Sequence, residues 1–142
     1  MNQSACCLAV VLAAGLVGCA SPADPGAPTA AALTCALPSN CVSSLDGGSE
    51  PLRFDGDAAQ AMARLRRTLA RYPEARIVHS DAGGVDVIFS TAVGFEDDVA
   101  FRIDAARQRI DYRSRSRIGL FDWGKNRSRM REFAERFRAG GG

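Results

Sequence analysis

The chain has 142 residues, 46% of them hydrophobic and 24% charged, with 18 basic and 16 acidic side chains, one His and five Cys. That length fits one domain and excludes a large multidomain enzyme, and the charge fraction excludes a disordered chain or a polytopic membrane protein. A net charge of +2 gives no global signal for nucleic acid, and one His argues against His-rich zinc or haem sites.

The N-terminus carries an address. Leu8 to Gly18 is an uninterrupted run of Leu, Ala, Val and Gly. Eleven such residues are too few for a membrane span of about 20 but fit the 7 to 15 of a signal-peptide core, in round numbers. Met1 to Cys7 departs from an ordinary signal in having neither Lys nor Arg. The run ends in Leu16-Val17-Gly18-Cys19-Ala20, which resembles the lipobox of bacterial lipoproteins. That resemblance implies a signal peptide over 1–18 and a mature chain starting at lipidated Cys19, with Ala20 directing it to the outer membrane, facing the periplasm. Residues 19–34 are rich in Ala and Pro and read as a tether.

Residues 35–142 are dense enough in apolar side chains to form one modest domain. Asp57 to Tyr72 places Ala58, Met62, Leu65 and Leu69 at helical spacing, with Pro73 as a stop. Ile77 to Ser80 is a short extended stretch, and Asp81-Ala82-Gly83-Gly84 a turn. Val85, Val87 and Phe89 alternate with Asp86, Ile88 and Ser90, and Val99, Phe101 and Ile103 with Ala100, Arg102 and Asp104. Both read as half-buried strands. After the short connection Ala105 to Gln108, a further strand sets Ile110, Tyr112 and Ile118 against Asp111, Arg113, Arg115 and Arg117. Met130, Phe133, Ala134 and Phe137 define a helix from Asn126 to Ala139, ended by Gly140. Short connections favour antiparallel pairing. The expected fold is α+β: a three- to four-stranded antiparallel meander covered on one face by two helices.

Four segments recur in order: Asn40-Cys41-Val42-Ser43-Ser44, Gly94-Phe95-Glu96-Asp97-Asp98-Val99, Arg113-Ser114-Arg115-Ser116-Arg117-Ile118-Gly119 and Asp122-Trp123-Gly124-Lys125-Asn126-Arg127. Together they resemble the bacterial and plastid family known as domain of unknown function 1499, from about Cys35 to Arg138. The resemblance implies a small domain of helices and strands, often associated with the cell envelope, and it supplies no reaction, substrate or cofactor. Ala100 stands where the family pattern leads one to expect an acidic residue.

Cys35 and Cys41 flank a turn-forming Pro38-Ser39-Asn40. In an exported protein they read as a disulfide, the rival reading being a reactive Cys41 thiol near Ser43 or Ser44. Asp97 and Asp98, beside Glu96, are a carboxylate pair able to bind a hard cation or act as acid and base. Strand alternation instead sends them to opposite faces, one accepting backbone N–H groups of the Phe95 turn and the other meeting an arginine. His79 could join a Ser-His-Asp arrangement with Ser43, Ser44, Ser80 or Ser90, but no Gly-x-Ser-x-Gly elbow accompanies it, and it reads as a surface or turn residue. Trp123 and Phe121 are expected to pack the junction before the last helix.

The most distinctive feature is the basic run Arg113, Arg115, Arg117, Lys125, Arg127, Arg129 and Arg131. Guanidinium forks bind carboxylate or phosphate, and an Asp122-capped helix would aim free N–H groups of Gly124, Lys125 and Asn126 at an anion. Arg113, Arg117, Asn126 and Arg127 are therefore the candidate anion-binding residues. The competing reading pairs the arginines with Asp104, Asp111, Glu132 and Glu135 on a solvated surface. Dividing the chain sharpens this contrast: residues 20–101 carry 6 basic and 11 acidic groups, whereas 102–142 carry 12 and 5.

The expected function is that of a non-catalytic envelope lipoprotein, held to the membrane through Cys19, that binds an anionic small molecule, phospholipid head group, glycan or partner protein. Neither a cofactor nor a metal is expected, and export argues against nucleic acid. The alternatives are an envelope hydrolase or transferase using Asp97 and Asp98 with arginines, and a structural protein of the membrane surface.

Overall fold

The computed structural model describes residues 33–141. The expected signal segment, the Cys19 lipidation position and the tether as far as residue 32 lie outside the described residues. Leu33, two residues ahead of the Cys35 boundary, is buried.

The first helix, α1 (Ala58–Leu69), starts where Asp57 accepts the Gln60 N–H at 2.8 Å, satisfying one of the donors that a helix N-terminus leaves free. It stops short of Tyr72 because Pro73 disfavours helical backbone in the residue before it. Arg71 and Tyr72 accordingly bond to carbonyls three residues back. The second helix, α2 (Lys125–Ala139), buries Asn126, Met130, Phe133 and Phe137 along one stripe.

Between and around them β1 (Cys41–Ser43), β2 (Leu52–Arg53), β3 (Ala75–Ser80), β4 (Gly84–Ser90), β5 (Glu96–Asp104) and β6 (Arg109–Ser116) form one six-stranded sheet. The order is β1-β6-β5-β4-β3, with β2 also paired to β6, and every pairing is antiparallel. The α+β class and the β3-to-β6 meander follow the sequence pattern. The strand count rises from the expected three or four because β1 and β2, at three and two residues, are too short to display alternation. Gly84, expected in a turn, instead pairs with Arg102 inside the sheet. A Cβ there would sit 2.3 Å from the Phe101 carbonyl oxygen, so only glycine allows this approach.

Both helices cover one face of the sheet. Leu65 of α1 and Phe133 and Phe137 of α2 share a continuous core with Val87, Phe89, Val99, Phe101, Ile110 and Tyr112. The Phe101 and Phe133 rings lie 5.0 Å apart, and Tyr72 stacks on Phe133 at 5.6 Å. Among the described residues these side chains form one continuous core. No described helix is long and apolar enough to cross a membrane.

Three apolar positions contradict the sequence reading: Ile118, Trp123 and Phe121, the last 66% exposed although expected to pack the junction. Ile118 does not continue the buried row of Ile110 and Tyr112, because β6 ends at Ser116 and Gly119, at φ 94°, turns the chain outward. Trp123 does not pack the junction but is 95% exposed. Phe101→Ala should therefore destabilise the fold by about 3–5 kcal/mol, the usual loss for a fully buried Phe. Ile118→Ala should change it by less than about 0.5 kcal/mol. Urea unfolding followed by circular dichroism measures both.

Candidate functional site

Period-two geometry separates the acidic pair. Asp97 shares the helix-covered face with Val99 and Phe101, whereas Asp98 points to the opposite, open face, so the two carboxylates form no common site. Both meet arginines. The Phe95 N–H is taken by the Thr91 hydroxyl at 3.0 Å, not by an aspartate.

On the covered face, the buried Asp97 carboxylate accepts a hydrogen bond from Arg129 of α2 at 2.5 Å. Arg129 also lies over the Phe89 ring at 4.9 Å and donates to Asn126 Oδ1 at 3.0 Å. Asn126, fully buried, accepts from the Ser114 hydroxyl at 2.6 Å and shares its amide protons among Ser116, Asp122 and the Asn40 carbonyl. The first turn of α2 is thus bolted to β5, β6 and the segment leading into β1. Asp122 receives the Gly124 and Asn126 backbone N–H groups at 2.8 and 2.9 Å. A carboxylate of the chain itself therefore occupies the helix N-terminus where an external anion was expected. Burial works to raise the Asp122 pKa, but the hydrogen bonds from Asn126 and Gly124 outweigh it and hold the carboxyl below its ordinary value.

The four candidate anion-binding residues consequently do not converge. Asn126 is consumed by the buried network, and Arg127 reaches across to the Gly48 carbonyl. Arg113 and Arg117 belong to the other side of the sheet, where most charges are already paired. Arg117 bonds to Glu96 and, at 2.8 Å, to Asp98. Arg115 meets Asp98 at 3.3 Å, and Arg102 meets Asp86 at 2.6 Å. Asp104, Asp111 and Glu132, expected to neutralise the basic run, are engaged by Arg107, Arg109 and Arg136.

Arg113 is different. Among the described residues it has no carboxylate within 4 Å; one guanidinium nitrogen approaches the Thr34 carbonyl at 3.5 Å, and its buried Nε has no hydrogen-bond partner. Burial, with Arg115 adding repulsion, pulls its pKa below the ordinary arginine value. It remains a cation, since arginine does not deprotonate in proteins. Its side chain borders two concavities: one of about 190 Å³ between residues 34–41 and the end of β6, lined also by Arg115 and Arg117, and one of about 250 Å³ over Val78, Ala100 and Arg102. A larger hollow of about 410 Å³ lies on the other side, between α2 and the β4–β5 turn. Its wall includes Tyr72, whose hydroxyl has no partner among the described residues and whose pKa is pushed up to about 12, chiefly by burial.

The remaining candidates fall outside any shared site. Cys35 and Cys41 form a disulfide, which removes the reactive-thiol reading and ties the entering segment to β1. Ser43 accepts the Leu45 N–H, and Ser44 bridges Asp111 and the Tyr112 N–H. His79 is an exposed edge-strand residue, 3.0 Å from Asp81. Sequence reasoning passed over Arg129 as the partner of Asp97, although a signal existed. Asn126 falls on the same helical stripe as Met130 and Phe133, and Ser114 occupies a core-facing strand position, so polar groups were due to meet beneath α2.

Asn126→Ala should destabilise the protein by about 1–3 kcal/mol, because Ser114 and Arg129 lose a buried partner, whereas Arg127→Ala should cost less than about 0.5 kcal/mol. The depressed Asp122 pKa sets a pH dependence. Its stabilising contribution is complete above about pH 4, the unfolded carboxyl value, and disappears as pH falls through the lower folded value. The stability gap between the parent chain and Asp122→Asn should therefore hold from pH 7 to 5 and close below pH 4 in urea titrations.

A family model described as a protein of unknown function, DUF1499, matches residues 33–137. No curated protein and no solved structure matches the chain. The matched span runs from the buried Leu33 to the buried Phe137 and so coincides with the folded unit. The chain belongs to the DUF1499 family of proteins of unknown function.

Proposed function

We propose that this is an envelope lipoprotein, anchored through Cys19, whose folded domain binds an anionic group at Arg113 without performing catalysis. The observation that carries the binding reading is the cleft between residues 34–41 and the end of β6, where Arg113 presents a guanidinium with no carboxylate within 4 Å among the described residues. Arg115 and Arg117 line the same cleft. Their attachment to Asp98 leaves them as positioning and secondary cations, while Arg113 supplies the uncompensated charge. A phosphate or carboxylate entering there would gain a forked, charge-assisted contact at a partly desolvated site. The lipobox-like Leu16-Val17-Gly18-Cys19 supports the anchor, and location outside the cytoplasm agrees with the Cys35–Cys41 disulfide.

The alternative of a hydrolase or transferase built on Asp97 and Asp98 loses support from the geometry, since a substrate cannot touch carboxylates on opposite faces of one sheet. A basic α2 face resting on a membrane is less favoured than the cleft, because Arg129 is largely covered and paired with Asp97 and Arg136 is paired with Glu132.

Titration of inorganic phosphate into the chain from Ala20 onward, followed by NMR shifts of β6 amides, should give saturable binding that weakens as salt is raised. Arg113→Ala should reduce affinity roughly tenfold or more, the loss of one charge-assisted contact, and Arg127→Ala should leave it unchanged. Equal binding by Arg113→Ala would refute the site. The anchor is read separately: fatty-acid labelling in a bacterial host should disappear in Cys19→Ser, and a variant that still labels would refute lipidation at Cys19.

A further inference from the structure

One end of the sheet carries an apolar surface that the fold leaves uncovered. Ile118, Leu120, Phe121 and Trp123, in the connection between β6 and α2, are 66–95% exposed. Phe95, in the turn before β5, is also exposed, and β5 joins this connection through the Arg117 N–H to the Glu96 carbonyl. A small soluble domain rarely gathers five such side chains at one place without a partner for them. Trp123 adopts φ 55°, the left-handed region that bulky residues avoid, between Asp122 and Gly124 at φ 76°. The connection is nonetheless held in shape. The Asn40 side chain donates to the Gly119 carbonyl at 2.7 Å, the Ser39 hydroxyl donates to the Leu120 carbonyl, and the Asp122 N–H donates to the Ser39 carbonyl at 3.1 Å.

We infer that this Ile118–Trp123 connection inserts into the interface of a phospholipid bilayer, as a second attachment beside the lipid anchor. The inference rests on the lipid-anchored reading, which brings the domain to a membrane. Three observations select a bilayer as the occupant. The segment hydrogen-bonded to the apolar connection is the one by which the chain enters the domain, and Thr34 lines the same cleft as Arg117. From Cys19 to Leu33 the chain can span at most about 50 Å, so an acyl group at Cys19 keeps the domain within reach of the membrane, and the tether joins it at this end. The side chains also have interfacial chemistry. Phe121 and Trp123 are followed in the chain by Lys125, an exposed cation with no carboxylate within 4 Å among the described residues, a composition suited to the boundary between acyl chains and anionic phosphates.

Trp123 is the sole tryptophan of the chain and reports directly. The lipid-free chain from Ala20 onward should be mixed with vesicles of three parts phosphatidylcholine to one part phosphatidylglycerol. Trp123 emission should shift to the blue and be quenched by lipids brominated on their acyl chains. Leu120→Ser/Phe121→Ser keeps the reporter, and because both side chains are exposed its unfolding midpoint should match the parent. Its vesicle affinity should fall roughly tenfold or more, the loss of two apolar insertions. Emission unaffected by vesicles, or equal binding by the folded double variant, would overturn the inference. So would a blue shift that grows with protein concentration in the absence of lipid, which would assign the surface to a second copy of the chain. Failure of fatty-acid labelling at Cys19 would remove the anchor but leave this readout intact, and Arg113→Ala should still bind vesicles through the connection. The two readings therefore fail separately.

Discussion

Burying an arginine beneath a helix is costly unless its charge is matched and its remaining protons are bonded, and the seat of α2 is built to meet that requirement. Asp97 supplies the counter-charge, Phe89 the stacking surface, and Asn126 and Ser114 the acceptors for the other guanidinium nitrogen. Each partner comes from a different element, so the ion pair is satisfied only when β4, β5, β6 and α2 are all in place. Hydrophobic burial of Met130, Phe133 and Phe137 supplies most of the attraction between α2 and the sheet. The polar group at its N-terminal end fixes the register in which that attraction is realised.

The two faces of the sheet are thereby given different work. On the helix-covered face Asp97, Ser114, Asn126 and Arg129 satisfy one another, and the α2 N-terminus is closed by Asp122. The open face is a lattice of exposed and half-exposed ion pairs, each contributing little to stability. Within that lattice Arg113 lies opposite Ala100, and the neighbours of Ala100 across β4 and along β5 are committed elsewhere: Asp86 to Arg102, Asp98 to Arg115 and Arg117. An acidic side chain at position 100 would face Arg113 directly. The alanine found there leaves the guanidinium without a direct ion-pair partner, Asp98 and Asp86 acting on it only from a distance, which is the electrostatic basis for placing a ligand at this cleft.

The sequence disclosed elements whose signals repeat. The stripe Met62, Leu65 and Leu69 and the alternation around Val87, Phe101 and Tyr112 each offered several turns or pleats and are found buried as their period demands, while Ala58, at the start of α1, is only partly covered. Strands β1 and β2 were illegible because two or three residues contain no period. Ile118 and Trp123 were misplaced because an apolar side chain was assumed to be an inward one, although two positive-φ glycines flank the segment and lead it away from the core. The candidate site suffered from the converse assumption. Basic residues adjacent in sequence were treated as neighbours in space, whereas a sheet and a helix on its far side divide Arg113 and Arg117 from Asn126 and Arg127. Asp97 was correctly separated from Asp98 by strand alternation, but its partner could be identified only once α2 had been laid across the sheet.

Arg129 acts as a structural cation whose counter-charge is Asp97. A double-mutant cycle with Asp97→Ala, Arg129→Ala and the combined variant, measured by urea unfolding at pH 7, tests that claim most directly. The account predicts strong non-additivity, with a coupling energy of about 2–3 kcal/mol, because either single change strands a buried charge that the double change removes. Additivity to within about 0.5 kcal/mol would show that the two side chains do not depend on each other and would contradict the account.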